Sequence, residues 1–212
     1  EIKPRNISVA SDPSSAAFFI VGALIVPKSS IILKNIALNK TRIEFIKVLK
    51  KMGGKIEINK TKSASGEDVG DIKVSYSLLK GIKIGAFSSP YLIDEYPILS
   101  IAASQARGLT VMKGLSELRH KESDRIKSII TNLSKVGFNA TSKNDNIAIK
   151  GLKEIKITSQ KKIKTYGDHR IAMSFSILSL LYKNKLIIDD ESCISISYPD
   201  FKKHLKMLST SC

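Results

Sequence analysis

The chain has 212 residues, 42% hydrophobic and 25% charged, a globular profile of one large or two small domains, too apolar for disorder. No uncharged apolar run approaches the roughly 18 residues of a membrane-spanning helix, and no basic start leads into a signal-like apolar core. Lys and Arg number 35 against 19 Asp and Glu, a formal charge of +16 that points toward polyanions or an anionic substrate.

Most of that charge is diffuse. Of the 35 cations, 29 are lysines spread along the whole length, as a solvated surface from a compositionally biased genome would also show; Arg5, Arg42, Arg107, Arg119, Arg125 and Arg170 are the only arginines. Two cysteines, Cys193 and Cys212, make no disulfide framework and suit a reducing compartment. No metal-ligand spacing, nucleophile constellation or glycine-rich phosphate loop occurs.

In chain order the sequence repeats itself three times. Stretches 12–26, 94–106 and 167–182 each open near an aspartate (Asp12, Asp94, Asp168) and run into a helix that is apolar on most faces. The aspartates lie 82 and 74 residues apart, as 94 − 12 and 168 − 94, and each suits a helix N-cap. A short β-rich run follows each helix, at 30–34, 109–113 and 185–189, and then an amphipathic helix. In those second helices Phe45, Val48, Leu49 and Met52 share one stripe, Ile126, Ile129, Ile130, Leu133 and Val136 the next, and Phe201, Leu205 and Leu208 the third. Thr41 with Glu44 reads as a capping box, Pro199 with Asp200 as a first turn, and Gly53 and Gly137 as stops. Strand pairs are expected at 55–59 with 72–75 and at 139–142 with 147–150, around a polar, mobile loop at 60–70. The third unit lacks such a pair, as though chain before Glu1 supplied it. The predicted fold is mixed α/β, with sheets wrapped around a bundle of apolar helices.

Three clusters stand out at helix beginnings. Residues 118–125 hold Arg119, His120, Lys121 and Arg125 beside Glu122 and Asp124. Cations at a helix N-terminus oppose the macrodipole, so the run is either a set of i,i+3 and i,i+4 ion pairs, Lys121 and Arg125 sharing a face, or an anion site. Arg170 opens an otherwise apolar helix beside Asp168 and His169, either as an ion pair with Asp168 or as a clamp for phosphate or carboxylate. Asp94 gains interest from its company. If three equivalent helix N-termini converge, they and the cations make a site for a small, multiply charged anion, in which a carboxylate stays ionised and can act as a base. His204 reads as packing.

The motifs Asp-Pro-Ser-Ser-Ala-Ala at 12–17, Asp-Glu-Tyr-Pro at 94–97, Lys-Glu-Ser-Asp-Arg at 121–125, Asp-His-Arg-Ile-Ala-Met at 168–173 and Ser-Tyr-Pro-Asp-Phe at 197–201 resemble the 5-enolpyruvylshikimate-3-phosphate synthase family over essentially the whole chain. Residues 65–72, Ser-Gly-Glu-Asp-Val-Gly-Asp-Ile, further resemble its class II bacterial branch, which includes glyphosate-tolerant members. The resemblance implies an enolpyruvyl transferase-like domain of repeated βαβαββ units, an inside-out α/β barrel. Residues 1–212 would be the C-terminal domain, with most of the N-terminal domain absent and the piece inactive alone.

The implied reaction moves the enolpyruvyl group of phosphoenolpyruvate to the 5-hydroxyl of shikimate-3-phosphate and releases phosphate, without cofactor or metal. By the same resemblance Asp94 is the base that contacts the shikimate hydroxyls, and Glu122 handles the methylene proton. Lys121 contacts both substrates, Arg125 and Arg170 grip phosphoenolpyruvate, and Asp168 and His169 are further site candidates. The full-length protein is expected to be a cytoplasmic monomer engaging neither nucleic acid nor membrane. One departure is Ile196, where some members carry a lysine. A nucleic-acid module would need a contiguous basic stripe. A UDP-sugar enolpyruvyl transferase or an RNA-phosphate cyclase would not carry the 121–125 and 168–170 motifs.

Overall fold

The structure is a computed structural model that describes residues 6–61, 66–152, 157–182 and 185–209. Its centre is a bundle of three helices, α1 (Pro13–Ile25), α3 (Tyr96–Ser104) and α5 (His169–Ser179), each packed against the other two. Every residue of α3 is buried, as are all of α1 but Ser15. The lack of a polar face noted in the sequence is therefore the condition for sitting at the middle.

Each central helix is flanked by a parallel pairing. In the second unit β4 (Lys83–Ile84) runs into α3 and pairs in parallel with the strand that follows it, β5 (Gly108–Met112). In the third, β8 (Lys161–Ile163) precedes α5 and pairs in parallel with β9 (Leu186–Ile188). The first unit keeps one parallel bridge, Ser11 with Ile36, across α1. These βαβ crossings place all three helix N-termini at one end of the bundle. β4 and β8 carry only two and three residues, too few for a period-2 pattern to register.

Antiparallel pairs complete the sheets. β1 (Ser30–Ala37), β2 (Lys55–Lys60) and β3 (Val69–Ser75) form a sheet of order β1-β3-β2. β6 (Asn139–Lys143) and β7 (Asn146–Gly151) extend the second sheet to β4-β5-β7-β6. The third sheet holds β8 and β9 alone among the described residues. The expected strand pairs are present, with Ile56 opposite Val74 and Ala140 opposite Ile149.

The second helices of the first two units, α2 (Glu44–Lys51) and α4 (Arg125–Val136), bury the predicted stripes except Ile130, which is half-buried: Phe45, Val48 and Leu49 on α2, and Ile126, Ile129, Leu133 and Val136 on α4. In the third unit a short α6 (Ser192–Ser197), absent from the sequence reading, precedes α7 (Phe201–Ser209). Phe201 is buried, with its ring 6.0 Å from Phe18. His204 Nδ1 lies 2.9 Å from the Tyr198 hydroxyl, a packing role as expected.

Three local expectations fail. Thr41 and Glu44 form no capping box: Thr41 donates its amide and hydroxyl to Asn39 Oδ1, and α2 starts at Glu44 without a side-chain cap. Asp12 and Asp168 cap α1 and α5, but Asp94 does not cap α3. Glu95 occupies that position, and the Asp94 side chain turns to cations instead. Lys121 does not share a helical face with Arg125, because α4 begins at Arg125 and Lys121 is extended. Of the loop expected to be mobile at 60–70, Lys60 belongs to β2 and Val69 and Gly70 to β3, while residues 62–65 lie outside the described residues.

Candidate functional site

At the common N-terminal end of the bundle, Asp94 is the meeting point. Its Oδ1 lies 3.8 Å from Lys121 Nζ and 3.4 Å from Arg125 Nη1, and its Oδ2 lies 3.5 Å from Arg170 Nη2. Arg170 Nη1 also donates to the Asp94 carbonyl at 3.1 Å. Two separate stretches of chain, 121–125 and the start of α5, thus bring three cations to one carboxylate. Asp94, Lys121, Arg125 and Arg170, expected to line one hollow, do cluster.

Arg125 is the hub. Its side chain is 0% exposed, and a buried guanidinium must be paired along its whole fork. Nε donates to Asp168 Oδ2 at 2.8 Å, Nη2 to Glu122 Oε2 at 2.6 Å, and Nη1 to Asp94. Lys121 and Arg170, 33% and 15% exposed, are the cations open to an incoming anion.

Asp168 is fixed from every side. Besides Arg125 it accepts the Arg170 amide at 2.9 Å and the Ser123 hydroxyl at 3.1 Å. Burial alone would push its carboxyl up, but the Arg125 hydrogen bond and charge, with those two donors, outweigh it and hold the group below its ordinary range. His169, next in chain, sits with Nδ1 3.9 Å from Glu122 Oε1. Burial first, then the Arg170 charge, lowers its titration below the ordinary value of 6.5, against the pull of Glu122 and Asp168. The imidazole is therefore neutral at pH 7.

Residues given no site role in the sequence complete the frame. Arg119 donates from Nε to Asp145 at 2.7 Å and from Nη1 to Asp124 at 2.9 Å. These bonds pin the 3-10 turn Ser116–His120 to the β6–β7 turn, and with it the segment carrying Lys121 and Glu122. Asp124 caps α4 by accepting the Lys127 amide. Glu95 is buried and accepts a 2.5 Å bond from Ser14 Oγ on α1. Both belong to quoted motifs, yet their pairing across 81 residues has no periodic signal. Ile196, at the departure from the family pattern, is 86% exposed on α6. No group of three or more His, Cys, Asp or Glu arranged to hold a metal occurs among the described residues.

Neighbouring strands, apolar helices and a polar pole of converging N-termini together define the enolpyruvyl transferase fold. The enolpyruvyl transferase NikO from Streptomyces tendae shares it with a TM-score of 0.65 over 94% of this chain and 43% of that one, at 13% identity, a likeness of fold alone. More narrowly, the family model described as EPSP synthase (3-phosphoshikimate 1-carboxyvinyltransferase) matches residues 1–205, and the chain belongs to that family. The structure of EPSP synthase from Acinetobacter baumannii matches with a TM-score of 0.88 and 38% identity over 96% of this chain and 47% of that one. A 3-phosphoshikimate 1-carboxyvinyltransferase of Sulfurihydrogenibium sp. is 44% identical over 209 residues, 99% of this chain and 48% of the relative. One from Campylobacter jejuni is 47% identical over 207 residues, 98% of this chain and 47% of the relative. The chain spans about half the length of the curated relatives it matches.

Proposed function

We propose that this chain is the C-terminal domain of an enzyme that transfers the enolpyruvyl group of phosphoenolpyruvate to the 5-hydroxyl of shikimate-3-phosphate and releases phosphate. The remaining substrate contacts come from an N-terminal domain in the same polypeptide, which acts as a cytoplasmic monomer without metal or cofactor. The observation that carries this reading is the gathering of Lys121, Arg125 and Arg170 on Asp94. Balanced ion pairs of this kind, partly open to solvent, can exchange an internal carboxylate for a substrate's phosphate or carboxylate.

The chemistry is addition followed by elimination. Glu122 delivers a proton to the methylene carbon of phosphoenolpyruvate. The 5-hydroxyl oxygen bonds to the neighbouring carbon as Asp94 takes the hydroxyl proton. The tetrahedral adduct then returns the methyl proton to Glu122, reforms the double bond and expels phosphate, which carries away the proton held on Asp94 and so restores both carboxyl groups to their starting states. Arg170 and Lys121 hold the phosphate and carboxylate charges throughout; Arg125 locks Glu122, Asp94 and Asp168 in register and supplies positive charge behind them.

The test is phosphate release by the full-length protein given both substrates. Asp94→Asn and Glu122→Gln are expected to lower kcat about 10²- to 10⁴-fold, the contribution of a general acid or base, with folding retained by circular dichroism. The 212-residue chain alone is expected to release no phosphate. Full-length variants that turn over at the parental rate remove both assignments.

A further inference from the structure

Glu95 is a buried acid that the proposed reaction leaves unused. It precedes the first turn of α3 yet makes no capping bond there; its carboxylate instead accepts from Ser14 Oγ on α1 at 2.5 Å. Ser14 Oγ accepts in turn from Arg42 Nη2 at 2.9 Å, and the same guanidinium reaches Asp12, the cap of α1, at 3.2 Å. On the other side lies Asp94, whose carbonyl and carboxylate hold Arg170. The Ser14–Glu95 link therefore joins two central helices one residue from the carboxylate around which the three cations gather.

Burying an acid is unfavourable unless its charge or its hydrogen bonds serve something. Capping is not that service. We propose that Glu95 is a positioning residue: tethered by Ser14, it fixes the first turn of α3 and sets Asp94 and the Arg170 guanidinium in working geometry. The charged groups that bear on it are Arg170 from α5, Arg42 from the segment before α2, and Asp94 beside it. Burial pushes its titration up from 4.5, the Ser14 bond and the two arginines pull it down, and the Asp94 charge adds to the rise. Its ionisation is thus coupled to the groups it positions.

The inference rests on Asp94 and Arg170 working as proposed above, so the experiment has two arms. In the full-length protein, Glu95→Gln keeps a partner for Ser14 while deleting the charge. Its thermal midpoint at pH 7 is expected to equal or exceed that of the parent, because the raised titration makes the ionised acid a net cost to folding at that pH. Its kcat/KM is expected to fall between about 10- and 100-fold, the penalty of a displaced reacting group. Ser14→Ala is expected to lose part of the same rate. A stable Glu95→Gln variant with kcat/KM within about twofold of the parent overturns the inference.

The second arm needs no turnover. In the nitrogen-15-labelled full-length protein, the Asp94 amide and Arg170 side-chain resonances are expected to titrate in the parent at a pH where Glu95→Gln shows no step. Identical titrations in the two proteins overturn the inference as well. A parent that turns nothing over, with the resonance coupling intact, defeats the reaction and leaves the positioning role standing.

Discussion

Arg125 shows what a single residue contributes when its whole fork is enclosed. Three carboxylates from three segments meet it, and none is supplied by its own helix. Truncation to Ala leaves Asp168 buried without its cation and is expected to cost about 3–5 kcal/mol of folding stability. Arg125→Lys is expected to recover only part of this, since an ammonium cannot span Asp168, Glu122 and Asp94 at once. Denaturant unfolding of the three proteins measures both. The lowered Asp168 titration also sets a sign: its stabilisation is present above the ordinary value of 3.8 and is lost as pH falls through the lower folded value. Asp168→Asn should therefore flatten the acid limb of a stability–pH profile while lowering its plateau. The sequence announced the Glu122–Arg125 spacing and the proximity of Asp168 to Arg170. It could not announce that Asp168 is taken chiefly by Arg125, 43 residues earlier, because only the packing of α4 against α5 creates that pair.

Among elements, those with a strong local pattern were legible and those made by a neighbour were not. α4 carries its stripe in period and ends at Gly137, whose φ of 111° demands a residue without Cβ. Gly137→Ala is expected to cost about 1 kcal/mol. Gly151 at the end of β7 has a different reason to be glycine: an added Cβ would overlap the carbonyl oxygen of Ala106 and lie 2.6 Å from that of Ala103. Backbone cannot swing aside as a side chain can. Gly151→Ala is therefore expected to lower stability more than Gly137→Ala, by at least about 2 kcal/mol, a size reserved for overpacking and backbone strain; thermal unfolding ranks the two. Misreadings fall where local and tertiary demands diverge. The α3 start reads as an aspartate cap, but Asp94 makes more of three cations than of one amide, and Glu95 is drawn to Ser14. Likewise Thr41 satisfies Asn39 before it can cap α2.

Across the whole molecule, two kinds of positive charge behave differently. The +16 total belongs mostly to dispersed lysines and favours any polyanion through long-range attraction that salt screens. The polar pole is locally balanced: Lys121, Arg125 and Arg170 face Asp94, Glu122 and Asp168 at contact distance. A small anion that binds there gains from exchanging one carboxylate partner for another at fixed donors, and net attraction contributes little. Binding of phosphoenolpyruvate to the full-length protein should accordingly weaken only modestly between low and physiological salt, yet drop about tenfold or more in Arg170→Gln, the loss of one charged hydrogen-bonding partner. Binding of a single-stranded oligonucleotide should fall steeply over the same salt range and be indifferent to Arg170→Gln. Titration calorimetry for the small anion and fluorescence anisotropy for the oligonucleotide separate the two. A phosphoenolpyruvate affinity that tracks salt like the oligonucleotide's, and ignores Arg170→Gln, would place the anion on the lysine surface instead of at the helix N-termini.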